Sequence, residues 1–170
     1  LRPFAHQTAS RSLRVAQVVV TEDNVNDAIR EHYGTGEIDL LSIDISGNDY
    51  WVWKALAVVS PRVVVIEYNS SFSPASSMVV NASPSNHFNL GARLNDFGAS
   101  LKAYEKLGIE KNYRLVGCDL LGVDAFFVRE DLVSNLFCEP FTAENHYEPP
   151  RFFPPRLPLQ MFIQGEFKEI

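Results

Sequence analysis

The sequence predicts a doubly wound α/β domain built on a mostly parallel sheet. Apolar runs that suit strands alternate with segments in which apolar side chains recur at helical spacing. Along the first part of the chain the order is strand, helix, strand, helix, strand. The run at 62–68 contains four consecutive apolar side chains, Val-Val-Val-Ile at 63–66. Such a run is typical of a parallel strand that is buried on both faces of its sheet.

Each element of this first part has a local sequence signal. We expect strands at 13–20, 38–45 and 62–68 and helices at 25–34 and 50–59. Acidic residues and Asn24 precede the first helix and suit the positive end of its dipole. Gly34 is expected to end that helix, and Pro61 is expected to stop the second one.

The second part of the chain changes in texture and predicts a loop followed by a helix and a hairpin. Residues 69–97 are rich in Ser, Asn and Pro and show no period, which favours a long insertion loop. Ser100 is expected to cap a helix that Gly108 closes. Tyr113–Cys118 and 125–129 then suit two strands of an antiparallel hairpin.

One domain with an extended arm is the predicted organisation. The chain has 170 residues, which suits one ordinary domain and leaves little room for two. We place the α/β domain at 1–137, with the insertion at 69–97 and a short helical turn at 131–137. Residues 138–170 are rich in proline and aromatic side chains, and they are expected to lie on the domain surface.

Composition and charge exclude several classes of protein. Apolar residues make up 46% of the chain and the net charge is −6, which argues against a nucleic-acid binder. No apolar run approaches the roughly 20 residues of a membrane span, and no secretion signal is visible. Cys118 and Cys138 both sit in apolar settings, so we expect buried, reduced thiols. A cytoplasmic location is the expectation that follows.

Acidic and amide side chains follow two neighbouring predicted strands. Residues 43–49 read Ile-Asp-Ile-Ser-Gly-Asn-Asp, and Glu67 closes the next strand. In open α/β sheets, ligands bind at this edge, so Asp44 and Glu67 are expected to lie near each other in a cleft, where the nearness of like charges would raise one pKa. The structural alternative stays open: Asp44 is a turn residue, and Asn48 or Asp49 caps the next helix. The four histidines lack metal-ligand spacing, and no metal site is expected.

Several segments, taken in order, resemble the FkbM-like group of S-adenosylmethionine-dependent methyltransferases. The matching segments are IDLLSIDI at 38–45, VVIEYN at 64–69, GASLK at 98–102, YRLVGC at 113–118 and DAFFV at 124–128. The resemblance covers about residues 13–135. It implies the class I methyltransferase fold, a Rossmann-like, mostly parallel sheet that ends in an antiparallel hairpin. It also implies that this chain lacks the first two strands of that sheet and the glycine-rich loop between them.

The same resemblance implies roles for residues at the sheet edge. Asp44 and Glu67 are the expected catalytic residues, and S-adenosylmethionine is the expected cofactor. The expected cofactor-binding residues are Asp44, Ser46, Gly47 and Asn48, and the expected substrate-binding residues are Asp49 and Asn69. The acceptor is expected to be a hydroxyl or amine of a small molecule or glycan. Ser46 stands where relatives often carry a second acid, so a paired-carboxylate site is not implied.

Two alternatives to a methyltransferase remain open at this point. A non-catalytic interaction module would keep the sheet and lack the cofactor loop, and an unrelated α/β domain would bind a different small ligand. Because the glycine loop is missing, we expect this chain alone to bind S-adenosylmethionine weakly or not at all. The missing strands would expose an edge of the strand at 13–20, which predicts a homodimer or aggregation.

Overall fold

The computed structural model describes residues 13–82, 97–151 and 167–170, which form an α/β fold with an open, mixed sheet. Within these ranges the helices are α1 (Val25–His32), α2 (Asp49–Ala55), α3 (Leu101–Glu110), α4 (Glu130–Val133) and α5 (Ala143–His146). The strands are β1 (Gly36–Ile43), β2 (Val59–Glu67), β3 (Met78–Val80), β4 (Tyr113–Cys118), β5 (Asp124–Arg129) and β6 (Phe167–Glu169).

The main sheet has four strands in the order β1-β2-β5-β4. β1 runs parallel to β2, whereas β5 runs antiparallel to both β2 and β4. The α/β class and the antiparallel hairpin are confirmed. The predicted parallel pairing holds for β1 and β2, whereas the later pairings are antiparallel. The sheet is therefore mixed and not mostly parallel. β3 and β6 form a separate antiparallel pair.

The predicted strand at 13–20 is wrong. These residues form no strand and have no strand partner, and Val15 and Val19 are 59% and 65% exposed. An apolar run becomes a strand only where a neighbouring backbone can pair with it. Because 13–20 adds no strand, β1 is an edge strand of the described sheet.

The second helix is shorter than predicted because a side chain of α1 forms hydrogen bonds with the backbone at the end of that helix. α2 ends at Ala55, and the next residue is already extended. Asn26 donates to the Ala55 carbonyl at 2.9 Å and accepts from Ala57 N at 2.8 Å. Pro61 therefore does not stop the helix. It lies within β2, opposite Ile38 of β1.

The cap of α3 is confirmed, whereas its predicted end is wrong. Ser100 Oγ accepts from Ala103 N at 3.3 Å and from Met78 N at 3.0 Å. The helix continues through Gly108 to Glu110. A Cβ at Gly108 would lie 2.9 Å from the ring of Phe127, so this glycine permits a close approach to β5 and does not end the helix.

The predicted loop at 69–97 contains β3, and its portion at 83–96 lies outside the described residues, as do 1–12 and 152–166. β3 pairs with β6 and bridges to Ala99 on its other side. In the arm, Tyr147 Oη donates to the Ser70 carbonyl at 2.6 Å, which ties residues near α5 to the end of β2. Cys138 is exposed, contrary to expectation, because it follows α4 on the surface; Cys118 is half-buried, and both thiols are free.

An aromatic cluster around Trp53 forms the centre of the core. Trp53 is 1% exposed, and its ring lies 4.9 Å from that of Phe127 and 6.2 Å from that of Tyr104. These contacts join α2, β5 and α3 across one face of the sheet. Trp51 is half-buried and donates from its indole to the Val80 carbonyl at 2.9 Å. In the described ranges no helix is both long and apolar enough to cross a membrane.

Replacing Ser100 should destabilise the fold. Ser100→Ala removes the cap of α3 and leaves the partly buried Met78 N–H without its acceptor, so we expect the free energy of unfolding to fall by about 1–3 kcal/mol. Urea denaturation would measure the loss. Ser42→Ala, at an exposed position on β1, is the matched control and should change little. Equal stabilities of the two variants would contradict the role given to Ser100.

Self-association is expected through β1 and not through 13–20. Leu40 on this edge strand is 58% exposed and Tyr33 beside it is 65% exposed, and open strand edges with apolar neighbours favour pairing. Light scattering over a dilution series should show association that Leu40→Lys reduces. Leu120→Lys, at a 73% exposed site in the β4–β5 turn, should leave it unchanged. A wild-type chain that stays monomeric at every concentration of the series would refute this expectation.

Candidate functional site

The carboxyl ends of β1 and β2 bring Asp44 and Glu67 to one edge of the sheet. The two strands are parallel, and Ile43 lies opposite Ile66 in their register. Asp44 directly follows β1, and Glu67 is the last residue of β2. The register therefore places the two side chains proposed as catalytic at the ends of neighbouring strands. Burial chiefly raises the pKa of Glu67, and the negative charge of Asp44 adds to this rise.

Asp49 shapes the turn between β1 and α2. It is fully buried, and its carboxylate accepts from Ile45 N at 2.9 Å and from Gly47 N at 2.8 Å. Burial is the largest influence on Asp49 and raises its pKa, whereas these backbone donors oppose the rise. The carboxylate therefore stabilises the turn at the start of α2, as in the structural alternative, and presents no oxygen to a substrate in this arrangement.

The expected cofactor-binding residues divide into one exposed side chain and a turn that packs inward. Asp44 is exposed, whereas Asn48 is buried and donates to Glu22 Oε2 at 3.5 Å. The Gly47 N–H already donates to Asp49, and its carbonyl accepts from Gly98 N at 3.2 Å. Ser46 is half-buried with φ of 58°. Of this set, Asp44 is the side chain best placed to meet a ligand.

Asn69 holds the segment after β2 in place. It is buried, its amide donates to the Phe97 carbonyl at 3.3 Å, and its side-chain oxygen accepts from Ser71 N at 3.1 Å. Its backbone N–H donates to the Ala99 carbonyl at 2.8 Å. These bonds give Asn69 a role in holding the loop, and they do not indicate contact with a substrate.

Glu67 combines burial with an unsatisfied oxygen. The side chain is half-buried, and Oε2 is a buried atom with no hydrogen-bond partner among the described residues. Burial is the largest influence on Glu67 and, together with the nearby negative charges of Asp44, Asp49 and Asp124, raises its pKa to about 7. A carboxyl group with a pKa near neutrality can give up and take back a proton under physiological conditions.

Sequence reasoning missed three residues that surround Glu67. Asp124 is paired with Glu67 across β2 and β5. Tyr104 on α3 is fully buried, and its hydroxyl lacks a partner within the described chain. A Cβ added at Gly98 would lie 3.7 Å from both Tyr104 Oη and the Glu67 backbone oxygen. The sequence predicts the helix that carries Tyr104, but strand register and the rotation of that helix are not visible in the sequence.

The charges around Glu67 favour a cationic ligand. Within the described ranges, the three groups that act on it electrostatically, Asp44, Asp49 and Asp124, are carboxylates. A cleft lined by one sign of charge attracts the opposite sign and repels its own. In the part of the chain that the structure describes, no group of three or more His, Cys, Asp or Glu side chains is arranged to hold a metal ion. An organic cation suits these surroundings better than a phosphate or carboxylate.

The raised pKa of Glu67 predicts a pH-dependent stability. From about pH 4.5 to about pH 7 the folded chain retains a proton that the unfolded chain has lost. The free energy of unfolding should therefore decrease as the pH rises through this window and then level off. Glu67→Gln should be more stable than the wild type at pH 8 and similar to it at pH 4.5.

Thermal unfolding at a series of pH values measures this difference. Glu31→Gln, at an exposed position on α1, is the control and should follow the wild-type curve. Parallel curves for Glu67→Gln and the wild type would show that Glu67 has an ordinary environment.

Comparison of this chain with protein-family models, with curated proteins and with solved structures found no match. The fold is therefore described by its own topology, an open mixed sheet with a parallel pair at one end and an antiparallel hairpin at the other. Its function is inferred from the site.

Proposed function

We propose that this chain forms the reaction side of an S-adenosylmethionine-dependent methyltransferase site, with Glu67 as the base. The observation that carries the proposal is the Glu67 carboxyl group at the end of β2. It is half-buried among acidic residues and has a pKa of about 7. Such a group is suited to taking a proton from an acceptor beside a cationic methyl donor.

The sheet topology supports the proposal. β5 lies antiparallel between β2 and β4, which agrees with the terminal hairpin implied by the resemblance to class I methyltransferases. The parallel pair β1 and β2 presents its carboxyl ends at the edge where open α/β sheets bind ligands. Fold alone does not imply activity, so the proposal depends on the site chemistry.

The described residues suit one end of S-adenosylmethionine. Asp44 and Glu67 complement the positive sulfonium, because both are carboxyl groups at the open edge of the sheet. The adenosyl end has no equivalent support in the described ranges, since the Gly47 N–H and the Asn48 side chain are engaged within the protein. We therefore assign Asp44 and Glu67 to the sulfonium and the acceptor, and no described residue to the adenine.

The chemistry asked of the protein is mainly orientation and proton removal. S-adenosylmethionine supplies a methyl carbon bonded to a positively charged sulfur. Glu67 accepts the proton that the acceptor oxygen or nitrogen loses as it bonds to that carbon, while the electrons of the broken C–S bond go to sulfur. Asp44 stabilises the sulfonium charge before transfer. A positioned base of this kind contributes a factor of roughly 10²–10⁴ in rate.

Replacing the two carboxyl groups should separate donor binding from proton transfer. Asp44→Asn should weaken binding of S-adenosylmethionine several-fold and leave binding of S-adenosylhomocysteine, whose sulfur is neutral, nearly unchanged. Glu67→Gln should lower the rate of methyl transfer by roughly 10²–10⁴. Calorimetry with both ligands and a labelled-methyl assay, on the protein at its full natural length, measure these effects.

Asp39→Asn is the matched control, because Asp39 is an exposed acid in β1 away from the site edge. It should change neither affinity nor rate. Melting temperatures on the same preparations separate lost activity from lost folding. If Asp44→Asn weakens both ligands equally, Asp44 does not meet the sulfonium; if the full-length protein binds neither ligand, the methyltransferase proposal is wrong.

A non-catalytic interaction module is the second candidate function. It is favoured by the open edge of β1, where Leu40 and Tyr33 expose apolar surface. Such an edge can accept a strand from another chain. Binding of S-adenosylmethionine by the full-length protein distinguishes the two functions, since the module needs no methyl donor.

A further inference from the structure

The hydroxyl of Tyr104 is fixed in the interior of the domain. Its side chain is fully buried, and its ring lies 5.8 Å from that of Tyr50 and 6.2 Å from that of Trp53. Both neighbours belong to α2, so α3 and α2 together set the direction of the hydroxyl. No described residue forms a hydrogen bond with it.

Glu67 Oε2 is a second unpartnered buried atom in the same region. Just three such side-chain atoms occur in the described ranges, and the third is Ser77 Oγ. Tyr104 Oη and the backbone oxygen of Glu67 both lie 3.7 Å from the position that a Cβ of Gly98 would take. Glu67 and Asp49 are also the two carboxylates whose charges act most strongly on Tyr104. The Tyr104 hydroxyl and the backbone of Glu67 therefore lie close to the same point beside Gly98.

Packing alone does not account for a tyrosine at this position. A buried hydroxyl without a partner destabilises the fold, and a phenylalanine would fill the same space without that penalty. The hydroxyl is therefore expected to serve a state of the site in which it has a partner. The unsatisfied oxygen of Glu67 is the acceptor that the geometry offers.

We propose that Tyr104 is a positioning residue that donates its hydroxyl hydrogen bond to Oε2 of ionised Glu67. Forming this bond requires a change in the Glu67 side-chain torsions, because neither atom has a hydrogen-bond partner within the described ranges, and it leaves Oε1 to meet the acceptor. The bond also stabilises the charged form of Glu67, because hydrogen bonds to a carboxylate favour ionisation. This role rests on the proposed function in one respect, the use of Glu67 as a base.

Tyr104 favours ionisation of Glu67, whereas the other groups that face Glu67 disfavour it. Asp44 after β1, Asp49 on α2 and Asp124 on β5 each disfavour ionisation of Glu67 through their negative charge. Tyr104 on α3 is the neutral donor among these neighbours, and its own pKa is raised well above the ordinary value, chiefly by burial. It therefore stays protonated and able to donate while Glu67 titrates.

Carbon-13 NMR of the full chain, with labelled Glu and Tyr and without donor or acceptor, tests the proposal. The Glu67 carboxyl resonance is assigned by its loss in Glu67→Gln. In Tyr104→Phe its titration midpoint should rise by roughly half to one pH unit, because the charged form loses a donor. Tyr33→Phe, at an exposed site, should leave the midpoint unchanged. Coincident midpoints in Tyr104→Phe and the wild type would overturn the proposal.

A second measurement uses the wild-type chain and does not depend on the variant folding. The Tyr104 ring carbon bonded to oxygen should shift at the same pH as the Glu67 carboxyl, and a flat Tyr104 resonance would also overturn the proposal. Tyr104→Phe should keep or raise the melting temperature at pH 5. Because neither the methyl donor nor the acceptor is present in these measurements, their outcome does not depend on whether the protein transfers methyl groups.

Discussion

The candidate site depends on the backbone of one short segment, residues 97–100, which joins four parts of the fold. Gly98 N donates to the Gly47 carbonyl at 3.2 Å, and the Ala99 carbonyl accepts from Asn69 N at 2.8 Å. Ser100 exchanges hydrogen bonds with Met78 and caps α3. The turn after β1, the end of β2, β3 and α3 are therefore held relative to one another by main-chain bonds. Gly98 has φ of +56°, a conformation that favours glycine, so the residue type follows from this junction.

Two carboxyl groups at the same edge have opposite fates because their hydrogen-bond surroundings differ. Asp49 is the more deeply buried, yet two backbone N–H groups satisfy its oxygens, and its charge is used to hold a turn. Glu67 has a buried oxygen without a hydrogen-bond partner among the described residues, and the negative charges of three other acids act on it. Burial raises the pKa of both groups, and for Asp49 the backbone donors oppose the rise. Glu67, the proposed base, is therefore the acid that the fold leaves with an unsatisfied oxygen.

The segment that follows β2 is held by parts of the chain far away in sequence. Tyr68 Oη donates to the Glu148 carbonyl at 2.7 Å, and Ser70 Oγ donates to the Gly122 carbonyl at 2.5 Å. A Cβ at Gly122 would lie 2.6 Å from the Glu148 carbonyl, so the arm and the β4–β5 turn are in close contact there. These contacts make the arm a support for the end of β2, which carries Glu67.

Much of the local structure could be predicted from the sequence, because its signals act over a few residues. Apolar runs predicted β1, β2 and the hairpin, and the hydroxyl of Ser100 predicted the start of α3. The same signals predicted Asp44 and Glu67 at one edge of the sheet, since parallel neighbours end on the same side. Local patterns failed where a distant group intervened. Asn26 ends α2 early, and the ring of Phe127 explains Gly108.

The properties of the site were decided by tertiary structure. Asp49 accepts backbone hydrogen bonds within a turn, Asp124 on β5 pairs with Glu67 on β2, and the Tyr104 hydroxyl lies near the Glu67 backbone beside Gly98. All three arrangements depend on strand register and helix rotation. The run at 13–20 has strand-like composition but gains no partner, because pairing is a property of two segments and not of one. Residue types and their order could be interpreted locally; burial and electrostatic coupling arise between segments that meet only when the chain folds.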